Sequence, residues 1–154
     1  MKHTMAGHHY HRLGIMVLLH FIAMYILMYA MVHNIPSNVY NSLNQLYMAG
    51  LMTASMGAIE LTLMGAMYPD RRLNKIILVA SIVSLIVCWM FIRKQVAIGD
   101  EQFIRSMVPH HSGAILMCNQ ANIKDKELSE LCRAIVASQQ QEIEQMKAIL
   151  KRLD

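Results

Sequence analysis

The sequence predicts an all-α protein: three transmembrane helices followed by a two-helix hairpin outside the bilayer. Two observations carry this. Long apolar stretches almost free of charge fill the front of the chain. The remainder, from Gly99, switches to an amphipathic pattern with helical spacing. Composition agrees with both. Of 154 residues, 55% are apolar and only 16% charged, against about a quarter charged in an average soluble domain. With a mean hydropathy of +0.33, that balance excludes disorder and argues against an ordinary soluble domain.

The first apolar stretch, Leu13 to His33, carries no formal charge, and neither does Asn34 to Ile59. Ile76 to Ile92 is equally clean, with Lys75 before it and Arg93 and Lys94 after it. A membrane-crossing helix needs about 17–25 residues. The expected spans are 13–33, 43–68 and 73–93, within a membrane domain 13–95, broken by a turn at Pro36 and by Pro69-Asp70. The first is too long for a signal peptide and lacks a small-residue cleavage site after it. Ahead of it, residues 1–12 form a His-containing terminus with His3, His8, His9 and His11. Lys2, Arg12, Arg71, Arg72 and Lys75 fall on one side of the membrane, and only Arg93 and Lys94 on the other. The positive-inside rule then sets the N-terminus in the cytoplasm. The hairpin, 99–154, is expected on the periplasmic or extracellular side of an inner or plasma membrane.

Asp100 and Asp125 read as N-caps of the two hairpin helices. In the first helix, Phe103, Met107, His110, Ala114 and Met117 follow a 4-3-4-3 spacing. Leu128, Cys132, Ile135, Gln139, Glu142, Met146, Ile149 and Leu153 repeat it in the second. These read as coiled-coil-like seams. His110, Gln139 and Glu142 are wrong for a purely apolar seam. Folding about Asp125 opposes positions whose numbers sum to about 250, as in an antiparallel helix pair. Met107, His110, His111, Gln139, Glu142 and Met146 then gather in one layer, with Met117 a heptad beyond. Fifteen Met and eight His in a chain with seven Gly point to a soft metal. Thioether with imidazole suits Cu(I), and imidazole with carboxylate also accepts Cu(II) or Zn. Gln139 and Glu142 are expected to orient the imidazoles, with direct ligation of the metal as the alternative. Cys118 and Cys132 also oppose each other, and disulfide, soft ligand and inert thiol are all open to them. Cys88, inside the third span, reads as packing.

The membrane spans repeat the theme. Met16, His20, Met24, Met28 and Met31 recur along the first; Met48, Met52, Met56, Glu60, Met64 and Met67 recur along the second. Depth matching at about 1.5 Å per residue pairs His20 with Glu60, and Met24, Met28 and Met31 with Met56, Met52 and Met48. A buried carboxylate needs such a partner. His20, Met24, Met28, Met52, Met56 and Glu60 are therefore candidates for an intramembrane metal path.

The run Phe103-Ile-Arg-Ser-Met-Val-Pro-His-His-Ser-Gly-Ala-Ile-Leu-Met117, followed by Gln139-Gln-Gln-Glu-Ile-Glu-Gln-Met146, resembles the domain-of-unknown-function family DUF305 over residues 100–153. The resemblance implies a ferritin-like helical fold and copper binding outside the cytoplasm. It assigns Met107, His110, His111, Met117 and Met146 as metal-site candidates. It says nothing of the three spans.

The expected function is a membrane-anchored protein, not an enzyme, that binds, buffers or hands on Cu(I). The alternative is a copper transporter using the stripe of the first two spans. A di-iron oxidase would want Glu-x-x-His on two helices, and none occurs. The dispersed net charge of +4 argues against nucleic acid, since no basic cluster interleaves with aromatics. The expected partners are the metal ion, the lipid bilayer and further copies of the chain, a homo-oligomer with the dimer simplest, because so short a hairpin has little core of its own.

Overall fold

The computed structural model describes residues 2–153, with side chains from His9 onward. Five α-helices follow in order: α1 Lys2–Leu27, α2 Leu43–Met64, α3 Arg71–Lys94, α4 Asp100–Gln120 and α5 Lys126–Leu153. Short 3-10 turns, Met28–Met31 and Gly65–Met67, extend α1 and α2. Among the described residues there is no strand. Three helical stretches are long and apolar enough to cross a membrane: His9–Met31, Leu43–Met67 and Arg71–Lys94. The N-terminal segment is helical and continuous with the first of them. His9 and His11 are exposed; the side chains of His3 and His8 lie outside the described residues.

The ends of the helices have local causes. Asp70 caps α3, its Oδ1 accepting from the N–H groups of Arg72 (2.8 Å) and Leu73 (3.0 Å). Asp125 caps α5, with Oδ1 accepting from Leu128 N–H at 2.8 Å. At α4 the cap is Gly99, and Asp100 with Glu101 instead supplies negative charge to the first turn. Gln95, in the left-handed region at φ 49°, ends α3. Helix α4 runs unbroken through Pro109.

The chain forms two compact units. One comprises 1–27 and 45–96. Its buried residues Leu13, Leu61 and Tyr68 pack with Tyr10, Met16, Val17, Ile77 and Leu78. Tyr10 Oη donates to Asn74 Oδ1 (2.7 Å) and accepts from Asp70 N–H (3.2 Å), while Asn74 Nδ2 donates to the Tyr68 carbonyl (3.1 Å). These bonds tie α1 to the break between α2 and α3. Helices α2 and α3 approach closely at small residues. A Cβ on Gly50 would stand 3.0 Å from Cys88 Sγ, and one on Gly57 3.0 Å from Ser81 Oγ. Cys88 thus has the packing role its position suggests.

The other unit comprises 28–44 and 97–154. Its core is Ile104, Val108 and Ile115 of α4 against Ile143 and Leu150 of α5, joined by Tyr40, Val136, Met146 and Ile149. The connector 28–44 is a third part of this unit. Asn38 donates through Nδ2 to the His33 carbonyl (3.0 Å) and to Ser112 Oγ (3.1 Å), and accepts from Lys147 Nζ (2.6 Å). Ser112 Oγ in turn donates to the His33 carbonyl at 2.5 Å. The chain passes so near Gly113 that a Cβ there would meet the Met31 carbonyl at 3.3 Å.

This connector corrects the expected seam. The buried face of α4 is Ile104, Val108, Ser112, Gly113 and Ile115, not Phe103, Met107, His110, Ala114 and Met117. The helix is covered on two sides, by α5 and by the connector. The 4-3-4-3 row lies on the side that neither covers, and Phe103 and Met117 stay 51% and 54% exposed. On α5 the buried face centres on Ile143 and Leu150, and Leu128 and Leu153 are exposed.

Candidate metal centre

Helical geometry turns successive residues by about 100°, so His110 and His111 face different surroundings. His110 is exposed and His111 half-buried. Their ring centres lie 6.1 Å apart with planes inclined at 58°. Two imidazoles sharing one ion through bonds of about 2.0–2.1 Å hold their ring centres at most about 6.4 Å apart, in a linear N–metal–N arrangement. The 6.1 Å separation lies near that limit.

Glu142 braces the inner ring from α5. Its Oε2 lies 3.0 Å from His111 Nδ1, while its Oε1 accepts from Ser138 Oγ at 2.7 Å. Nδ1 is buried and has no hydrogen-bond partner of good direction, so the contact with Glu142 is close but off the ring N–H axis. Burial pushes the His111 imidazole below its ordinary value. The Glu142 carboxylate pulls upward, and His110 adds to the lowering. A neutral imidazole beside a carboxylate is the form that ligates metal. Ser138, one turn before Glu142 in a Ser-x-x-x-Glu pattern, is a site residue the sequence reading missed.

The thioethers divide. Met107 is half-buried on the turn before His110. Met146 packs against the hydrophobic core beside Ile143, and Met117 is exposed near the far end of α4. Gln139 is half-buried on α5, one turn before Glu142. The segment 107–111 of α4 thus carries one thioether and two imidazoles, with Glu142 of α5 against His111. Among the described residues no three His, Cys, Asp or Glu side chains gather as a metal-binding group. Cys118 and Cys132 are joined in a disulfide with Cα atoms 5.4 Å apart. That removes both from the ligand candidates.

In the spans, the expected His20–Glu60 pair is corrected. Glu60 Oε1 accepts from Tyr68 Oη at 3.0 Å. Tyr68 follows the 3-10 turn Gly65–Met67 and reaches back to the carboxylate, satisfying it within the same segment. The methionine ladder is also interrupted. Met28 and Met31 lie in a 3-10 turn of the hairpin's unit, and Met31, Met48 and Met52 are exposed. Met24 is half-buried on α1. Met16, His20 and Met56 do line one cleft, together with Arg12.

These features define a class: an all-helical protein with three membrane-length spans and a disulfide-closed hairpin bearing a His-His pair. The family described as Domain of unknown function (DUF305) matches residues 91–150. The Uncharacterized protein L153 of Acanthamoeba polyphaga mimivirus is 33% identical over 138 residues, 88% of this chain and 89% of that protein. That likeness is longer than the hairpin and takes in residues of the spans. No solved structure matches. The chain belongs to the DUF305 family.

Proposed function

We propose that the protein is a membrane-anchored copper-binding protein whose hairpin binds, buffers or hands on Cu(I), with no reaction of its own. The observation that carries this is the His110–His111 pair, 6.1 Å between ring centres, with the inner ring held against Glu142. His110, His111 and Met107 would hold the ion; Glu142 and Ser138 orient the inner ring. Cu(I) fits better than Cu(II) or Zn because thioether and neutral imidazole are its preferred donors. Met146 serves the core in this reading, and Met117 is a donor only to an ion reached from outside. The Cys118–Cys132 disulfide supports an oxidising compartment for the hairpin. The bias of Lys2, Arg12, Arg71, Arg72 and Lys75 supports a cytoplasmic N-terminus. Replacing His110 and His111 together with Ala is expected to abolish high-affinity Cu(I) uptake by the full chain in detergent. No other imidazole follows His33 in the sequence. Competition titration against a Cu(I) chelator reads the result, and unchanged stoichiometry and affinity would refute the reading.

One observation favours transport as a second reading. Met16, His20 and Met56 share a cleft of about 470 Å³, and a conducting path needs weak sites that an ion can enter and leave. Wild-type proteoliposomes would then carry Cu(I) faster than empty vesicles. His20→Ala with Met56→Leu would lose that flux while hairpin binding stayed intact. Flux no greater than that of empty vesicles leaves binding alone.

A further inference from the structure

The hydroxyls of α2 are not treated alike. In a membrane span, where water is absent, a Ser or Thr hydroxyl commonly bonds to a carbonyl three or four residues earlier. Ser55 Oγ donates to the Met52 carbonyl and Thr62 Oγ1 to the Ala58 carbonyl, both at 2.7 Å. Thr53, on the same helix, does not. It is 7% exposed, and its Oγ1 is buried with no hydrogen-bond partner among the described residues. An unpaired hydroxyl in an apolar interior is costly. Thr53 therefore holds a donor that the spans themselves leave unused.

Thr53 lines a cavity of about 490 Å³ between α1, α2 and α3, within the range of about 300–1,000 Å³ usual for small-molecule sites. Small residues open it. Helices α2 and α3 approach at Gly50 against Cys88 and at Gly57 against Ser81. That antiparallel register brings Ser84 to the level of Thr53 and Ala54, and both Ala54 and Ser84 are too short to fill the space. Ser84 and Phe21 also line the cavity. Ser84 is exposed, so the cavity opens toward the bilayer. Thr53 stands ten residues after Leu43 in the span Leu43–Met67, about 15 Å along the helix. This is half the thickness of a hydrocarbon core of about 30 Å. At that depth phospholipids offer only acyl chain, because their ester carbonyls lie in the interfacial layer. Hydrocarbon would fill the cavity and leave the hydroxyl unpaired.

We infer that the three spans bind a membrane-soluble carbonyl compound of the quinone type: Thr53 Oγ1 donates to one carbonyl, Ser84 Oγ to the carbonyl across the ring, and the ring packs on Phe21. A quinone carries two acceptors on opposite edges of a flat apolar ring, and Thr53 and Ser84 are donors on facing helices. It brings no N–H or O–H of its own that would need a partner in hydrocarbon. The bilayer delivers it, past Ser84.

The test uses the full chain in mild detergent with decyl-benzoquinone. Binding is read by quenching of Trp89, the single Trp of the chain, which follows the cavity-lining Cys88 on α3. Wild type is expected to show saturable quenching. Decylbenzene, with the ring and tail but no carbonyl, is expected not to displace the quinone when added in excess. Thr53→Val keeps the shape of the side chain and loses the hydroxyl. This variant is expected to keep its helical circular dichroism and to bind the quinone about fivefold more weakly, the ordinary worth of a neutral hydrogen bond. Quenching that rises without saturating would mean partition into detergent alone and would overturn the inference. Displacement by decylbenzene would do the same, since it leaves only apolar filling of the cavity. So would a Thr53→Val variant that binds as tightly as wild type. None of these outcomes bears on the copper-binding reading, which concerns the hairpin.

Discussion

Asn38→Leu is expected to destabilise the hairpin unit by about 2–4 kcal/mol, since a hydrogen bond to a charged group contributes about 1.5–3 kcal/mol and a neutral one about 1. Asn38 is only 4% exposed and Ser112 is fully buried. The substitution removes the acceptor for the Lys147 ammonium and the donor that Nδ2 offers to Ser112 Oγ and the His33 carbonyl. Ser112 keeps its own bond to His33, which limits the loss at that position. Lys147, half-buried, has no comparable replacement. Because the chain forms two compact units, a single melting temperature would mix them. Hydrogen exchange on the full chain in detergent separates them. Amides of α4 and α5 should lose protection while those of α2 and α3 keep theirs. A loss below about 0.5 kcal/mol, the level of an ordinary surface substitution, would show that the connector is not a structural part of the hairpin.

That connector explains where sequence reasoning succeeded and where it stopped. The spans were legible because a helix in lipid needs a long apolar run, and within 13–33, 43–68 and 76–92 the single formal charge is Glu60. Asp70 and Asp125 were legible because a carboxylate before a helix accepts the free N–H groups of its first turn. The approach of Glu142 to His111 also followed from folding the hairpin about Asp125. The buried face of α4 did not. Periodicity finds a row of apolar residues but not which neighbour covers it, and Phe103, Met107, His110, Ala114 and Met117 form a better row than the residues that are buried. Val108 and Ile115 share their face with Ser112, a polar residue buried only because Asn38 and His33 satisfy it. Nothing local to α4 signals a partner some 75 residues earlier. The same reason applies to Glu60: depth matching proposed His20 across the bundle, and the bond went to Tyr68, eight residues along. Where a nearby hydroxyl can satisfy a carboxylate, no long-range partner is required.

Replacing Cys118 and Cys132 together with Ser is expected to cost the hairpin about 3 kcal/mol, the loop-closure value for a cross-link of this span. The two cysteines are separated by 14 residues and enclose the turn between α4 and α5. Without the bond the unfolded turn gains freedom, and the ends of α4 and α5 nearest it should exchange fastest. The effect on copper separates two roles for these cysteines. Glu142 lies ten residues beyond Cys132 on α5, about 15 Å along the helix axis, and its contact with His111 does not depend on the cross-link. Cu(I) affinity of the variant should therefore match wild type under conditions where both are folded. Loss of Cu(I) by a variant whose α4 and α5 remain protected would mean that these sulfurs ligate the metal when reduced. Retention would mean that the cysteines hold the hairpin closed and that the ion is held by other side chains, as proposed for His110 and His111. The reductant-treated wild type should lose the same stability as the double variant, because reduction opens the same loop.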